Sequence, residues 1–347
     1  MSTLAVERNL EDDEVQQKKE KEEESNQDII HPAASDRGHV SVVAGHYNAL
    51  EDRGLEVRSN SRIYFMRNFN NWIKSVLINQ YLTKIQDKKK YGEPLKVLDI
   101  GCGKGGDLMK WRIGRISHLV CADVADERLR FKYKDPSIKF DLVSCQFAFH
   151  YCFESLPQAD IMLCNIAECL KPKGYFIGTT PDAYEIVKRA IKSGKSSFGN
   201  SIHNIAFECP IEPPSSIPLF GAKYNFDLEG VVSCPEFLVH FPTFVRLAEK
   251  HGLRLTYSIQ ADSLVGNQET NYEHGKSYLK ELGKPDEKIG TLSKEEWEPC
   301  IWRLLLKKFQ KFKCPVEGTI VCGPFRRCNL MKKVVLILHV NYELNFD

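Results

Sequence analysis

VLDIGCGKGGDLMKW, residues 97–111, is the stretch on which the fold turns. A short apolar run stops at Gly101, further glycines follow at Gly103, Gly105 and Gly106, and helix-forming residues resume at Leu108. Between a strand and a helix, glycine is needed where the backbone must come close to a ligand and a Cβ would clash. A tight turn with no ligand would use glycine for the same steric reason. Downstream, HLVCADV (118–124), FDLVSCQF (140–147) and GYFIGTT (174–180) read as strands, and DLMKWRI (107–113) and QADIMLCNIAECL (158–170) as helices. Alternation of this kind predicts a doubly wound, mostly parallel α/β sheet. Upstream, Ile63, Met66, Phe69, Ile73, Val76, Leu77 and Tyr81 recur at helical spacing and predict a long amphipathic helix. Past Thr180 the chain reads as a helix, a proline-rich stretch (210–218), a strand-like segment (224–232) and a helix-like FPTFVRLAEKHG (241–252). This half is expected to complete the sheet and close over the pocket.

Composition narrows the function classes. The 347 residues are 42% hydrophobic and 27% charged, enough for one catalytic domain with tails, and the formal net charge of +2 advertises no global field for nucleic acid. Any RNA contact must then come from a local basic cluster. Twelve cysteines without a signal-like start predict free thiols in a reducing compartment, and the absence of CxxC pairs argues against zinc. The late apolar run 334–338 is far shorter than the ~20 residues a membrane span needs. EDDEVQQKKEKEEESNQD (11–28) holds too little apolar surface to offset its ordering entropy, which predicts a disordered arm over 1–42.

The glycine loop alone suits dehydrogenases as well as methyltransferases. Asp99, two residues before the first glycine, would repel a pyrophosphate but suits a ligand with a cationic amino-acid end. Asp123 closes the next strand, where an acidic side chain accepts from ribose hydroxyls in either cofactor class. The pair favours S-adenosylmethionine over a nicotinamide dinucleotide.

RNFNNWIKS (67–75), VLDIGCGKGGDLMKW (97–111), SCQFAFHYCFES (144–155), KGYFIGTTPD (173–182), FDLEGVVSCPEFLVHF (226–241) and the later LSKEEWE (292–298) occur in this order. Together they resemble the eukaryotic mRNA cap guanine-N7 methyltransferases, across most of 45–260. The resemblance implies a class I, Rossmann-like S-adenosylmethionine-dependent fold over 43–298 and transfer of the methyl group to N7 of the cap guanine. It implies that Lys74, Gly101, Asp123, Gln146 and Tyr151 hold the cofactor. Asn70, Asn71, Lys104, Lys110, His150 and Glu236 would hold the cap, with the lysines near its phosphates and Glu236 on the guanine edge. It further implies capped pre-mRNA as substrate, a nuclear location, a small activating subunit and the transcription or capping machinery as partners, and no membrane contact. Each side chain also has a bland reading: a lone lysine is usually solvated, and His150 between Phe149 and Tyr151 would serve as a hydrogen-bonded core histidine.

Guanine N7 carries an in-plane lone pair and no proton, so no general base and no metal is expected, only alignment. Two segments depart from the family. Only seventeen residues, VADERLRFKYKDPSIKF, separate Asp123 from Asp141. A crossover takes about a dozen residues and a strand with its turns about five more, which leaves a bare edge or lost strand as the expectation. An acidic residue that touches the adenine in the family has no counterpart here. After LSKEEWE, residues 299–347 form a divergent tail in which 301–306 or 333–340 would replace a lost strand. These departures leave open a form with weak or no activity that still binds capped RNA or capping partners.

Overall fold

A computed structural model describes residues 39–50, 60–123, 138–260, 305–311 and 335–338, with a few positions between 293 and 299. Among the described residues, seven strands form one sheet. Four of them, β1 (Lys96–Ile100), β2 (His118–Ala122), β3 (Phe140–Gln146) and β4 (Leu170–Thr180), run parallel in the order β2-β1-β3-β4. Parallel strands covered on both faces read as largely apolar, and β3 is buried throughout, with its polar Asp141, Ser144 and Gln146 hydrogen-bonded. The alternation of side chains explains which layer each residue serves. Val97, Leu119, Leu142 and Ile177 meet Ile73, Leu77, Tyr81 and Leu82 of the long helix α2 (Tyr64–Gln86) and Trp111 of α3 (Leu108–Ile113). The alternate positions Leu98, Val120, Val143 and Phe176 meet Met162, Leu163 and Ile166 of α4 (Leu156–Cys169) and Phe244 and Ala248 of α6 (Phe241–Lys250). The expected parallel core and long helix are therefore present.

The second half completes this sheet only in part, through Leu253–Gln260 and Leu305–Lys311, and it also builds a second sheet. The segment read as one strand over 224–232 is a hairpin, β7 (Lys223–Leu228) and β8 (Val232–Phe237), closed by a turn in which Gly230 has φ +67° and Val231 N donates to Leu228 O at 2.9 Å. With β5 (Ser197–Gly199) and β6 (His203–Phe207) it forms a separate antiparallel sheet. This sheet buries Ile205, Tyr224 and Phe226 against Ile63 and Met66 at the start of α2 and Ile186 and Ala190 of α5 (Ala183–Ser193). Glu296 of the LSKEEWE motif is buried beside that layer. Its carboxylate accepts from Met66 N at 3.1 Å and Ser293 N at 3.0 Å, while Ser293 Oγ accepts from Glu296 N at 3.1 Å, a reciprocal cap on a helix start.

The divergent tail supplies two strands of the main sheet. β10 (Leu305–Lys311) lies antiparallel between β4 and β9 (Leu253–Gln260), so the strand begins later than 301–306. β11 (Val335–Leu338), within 333–340, pairs antiparallel with β2 at the opposite edge. The β2 edge beside the short connection is thus covered rather than bare. Residues 124–137 of that connection and most of the predicted arm fall outside the described residues. No described helix is long and apolar enough to cross a membrane.

Candidate cofactor and substrate site

A cleft of about 260 Å³ opens at the carboxyl ends of β1, β2 and β3, where doubly wound sheets bind ligands. Lys74, Gly101, Asp123, Gln146 and Tyr151 all line it, so the structure brings the five cofactor candidates together on one surface. One wall was not anticipated. Helix α1 (Val40–Ala49) lays Val40, Val43 and Tyr47 along the cleft, and His39 before it uses both its backbone N (3.0 Å) and Nδ1 (2.8 Å) on the Glu154 carboxylate. The three- and four-residue spacing of Val40, Val43 and Tyr47 was the available signal, though three positions cannot distinguish a helix from a tail.

The glycine loop is shaped by contacts a side chain would break. Gly101 has φ +72°, and a Cβ there would lie 2.4 Å from Ala148 Cβ. Its amide donates to Ala122 O at 2.7 Å, and Gly103 N donates to Asp123 Oδ2 at 2.6 Å, so the loop is tied to the end of β2. Behind the loop, two of the candidate lysines share a carboxylate, Asp107, that the family resemblance did not single out. Asp107 holds Lys74 Nζ at 2.8 Å and Lys110 Nζ at 2.7 Å. Burial pushes the Asp107 carboxyl up, but the two ammonium groups outweigh it and hold its pKa below the ordinary value. Burial pushes the Lys110 ammonium down, against the opposing pull of Asp107. Asp99 differs: burial, with Asp107 nearby, raises its pKa to about 7 despite the Trp111 Nε1–H bond at 3.0 Å.

Gln146 is oriented from both ends, with Nε2 donating to Ser144 Oγ at 3.1 Å and Oε1 accepting from Thr179 Oγ1 at 3.2 Å. Phe147 follows it at φ +56°, a left-handed conformation costly for a bulky residue and typical of ligand sites. Tyr151 OH lies 3.0 Å from Tyr47 OH and 3.5 Å from Cys234 Sγ, and burial, reinforced by Tyr47 and Glu236, pushes its pKa well above ordinary.

The cap candidates are not gathered in the same way. His150 and Glu236 are both buried, at 1% and 0% exposure, and lie together, with His150 Nε2 3.5 Å from Glu236 Oε1. Tyr224 OH donates to the other carboxylate oxygen at 2.7 Å. At 3.5 Å the geometry of the His150 contact is too poor for a hydrogen bond, and neither ring nitrogen has one. Asn70 Oδ1 is likewise buried with no hydrogen-bond partner. A buried polar atom left unmade costs about 1–3 kcal/mol, so such atoms point to a ligand. Neither His150 nor Glu236 lines the cleft, although their neighbours Tyr151 and Phe237 do. Lys104 bonds the Leu50 carbonyl, and Lys110 is committed to Asp107 while lying 3.5 Å from Asn71 Oδ1. The two lysines expected at phosphates therefore have protein partners in this arrangement.

Comparison with known proteins bears on this geometry. A family model described as the mRNA (guanine-N(7))-methyltransferase domain matches residues 31–130 and 122–311, two segments that overlap at 122–130 where the short connection begins. The mRNA cap guanine-N(7) methyltransferase of Drosophila melanogaster is 44% identical over 330 residues, covering 77% of this chain and 76% of the relative. That of Caenorhabditis elegans is 38% identical over 340 residues, covering 80% and 89%. The mRNA cap guanine-N(7) methyltransferase 1 of Oryza sativa subsp. japonica is 34% identical over 307 residues, covering 77% and 80%.

Proposed function

The chain belongs to the mRNA (guanine-N(7))-methyltransferase family, and from that premise we propose that it transfers the methyl group of S-adenosylmethionine to N7 of the guanine cap of mRNA. The observation that carries the reading is the convergence of Lys74, Gly101, Asp123, Gln146 and Tyr151 on one cleft beside the buried His150–Glu236 pair. The residues fit the cofactor. Gly101 leaves room where a Cβ would collide with Ala148, Lys74 offers a cation to a carboxylate, and Asp123 stands where ribose hydroxyls would donate. When bound, S-adenosylmethionine supplies an electrophilic methyl group on a sulfonium.

The protein's part is alignment. Glu236, buried and held by Tyr224, would accept from guanine N1–H and the exocyclic amine and so fix the ring with N7 toward the methyl group. As positive charge moves onto the purine, a carboxylate beside it stabilises the later charge distribution more than the earlier one. No protein group has to take a proton, because N7 carries none. Lys104 and Lys110 would neutralise the cap phosphates, which requires Lys104 to leave the Leu50 carbonyl. RNA binding, a nuclear location and association with an activating subunit or the capping machinery belong to the same proposal. Labelled-methyl transfer to RNA bearing an unmethylated guanosine cap tests it: digestion should release labelled N7-methylguanosine cap. Transfer to internal positions, or none at all, refutes it.

A further inference from the structure

An edge strand is a template for aggregation unless it is short, charged, bulged, broken by proline or covered. β2 reads HLVCA, without lysine or proline, and its last four residues are apolar and buried. The seventeen residues between Asp123 and Asp141 are too few for a crossover helix and a full neighbouring strand. Yet the edge of β2 is paired. Val335 lies opposite Ala122, Leu336 opposite Cys121, Ile337 opposite Val120 and Leu338 opposite Leu119, all antiparallel.

We propose that Val335–Leu338 of the divergent tail is an intramolecular replacement strand, which closes the sheet edge left by the short connection and braces the cofactor cleft from behind. The sequence VVLIL (334–338) is a continuous apolar run, a pattern typical of sheet strands rather than of a solvated tail. Antiparallel edge strands on otherwise parallel sheets are common, so the direction carries no topological penalty. Reaching the edge from β10 means crossing five strand spacings, about 24 Å, well within the span of the intervening chain. The pairing also ends at a functional place. Ala122, opposite Val335, accepts the Gly101 amide, and the next residue, Asp123, accepts the Gly103 amide. A strand fixed to β2 therefore limits motion of the two residues to which the glycine loop is tied.

The register offers a test on the full chain. Residues directly opposite in an antiparallel pair have Cα atoms about 4.5–5.5 Å apart, within the range a disulfide spans. Leu336→Cys would sit opposite the native Cys121, which is free, whereas Ile337→Cys would sit opposite Val120. Mild oxidation should link position 336 to Cys121 within one molecule, as shown by peptide mapping of the monomer, and should give little link from position 337 to Cys121. In the unmodified protein, hydrogen exchange over 335–338 and 118–122 should be slowed about tenfold or more relative to an unstructured chain. Deleting 334–347 should remove that protection from the 118–122 amides that face β11, while those that face β1 keep theirs, and should weaken binding of S-adenosylhomocysteine. Equal linkage at 336 and 337, linkage only between molecules, or unprotected exchange over 335–338 in the intact protein would overturn the proposal, whatever the protein's activity.

Discussion

Replacing Glu236 by glutamine keeps the shape of the side chain but puts an N–H₂ where one of two acceptor oxygens stood. Glu236 is fully buried, with Tyr224 OH on one oxygen at 2.7 Å and His150 Nε2 3.5 Å from the other. The glutamine carbonyl can still accept from Tyr224 or from guanine, but not from N1–H and the exocyclic amine together. One hydrogen bond from the guanine edge to a charged acceptor is therefore lost, and a donor is left facing a donor. A bond to a charged group is worth about 1.5–3 kcal/mol, which corresponds to a fall of roughly 10- to 150-fold in kcat/KM for capped RNA. The cofactor cleft is not lined by Glu236, so affinity for S-adenosylmethionine should stay within about twofold. Steady-state kinetics with capped RNA, calorimetric titration with the cofactor and a thermal melt separate the possibilities. If Glu236→Gln lowered cofactor affinity and melting temperature in step with kcat/KM, Glu236 would be a structural residue, and the reasoning would fail.

Four other perturbations follow from the geometry. Gly101→Ala forces a Cβ toward Ala148 at 2.4 Å from a left-handed backbone, and should lower cofactor affinity by at least about tenfold in a titration. Asp107→Ala strips Lys74 and Lys110 of a shared, largely buried counter-ion, and should cost about 3 kcal/mol of stability by denaturant melt, with weaker cofactor binding. Asp99 has a folded-state pKa of about 7 against an ordinary 3.8, so its contribution to stability is fully present below pH 4 and is lost as pH rises toward 7. Asp99→Asn mimics the protonated form, so it should melt near the parent protein at pH 4 and above it at pH 8; an identical offset at both pH values would contradict this. Lys104→Ala should reduce the slope of log affinity against log salt for capped RNA by about one, if its ammonium exchanges the Leu50 carbonyl for a phosphate.

The local signals in this chain report what each piece of backbone needs. Asp99 to Asp107 could be read as strand, loop and helix because glycines at positive φ and an apolar run of strand length leave few alternatives, and the same logic located α2, β3 and α4. The cleft's lining followed, since in a doubly wound sheet the ends of β1, β2 and β3 must lie side by side, which joins Gly101, Asp123 and Gln146. Pairing between distant segments has no such local signature. Residues 224–232 read as one strand because a Gly230 turn within a β-rich run is quiet, and only the packing of Tyr224 and Phe226 against Ile63 and Met66 made a separate sheet of the hairpin 223–237. Asp107 and Lys110 are local neighbours one turn apart, but the pairing of Asp107 with Lys74 depended on α2 packing beside α3, and the wall formed by Val43 and Tyr47 depended on a short helix lying along the cleft. The apolar run at 334–338 and the mixed LLKKFQK at 305–311 could pair with any open edge. Backbone hydrogen bonds are the same at every edge, so sequence determined that these segments were strand-like, and only the tertiary structure decided that one joins β4 to β9 and the other covers β2.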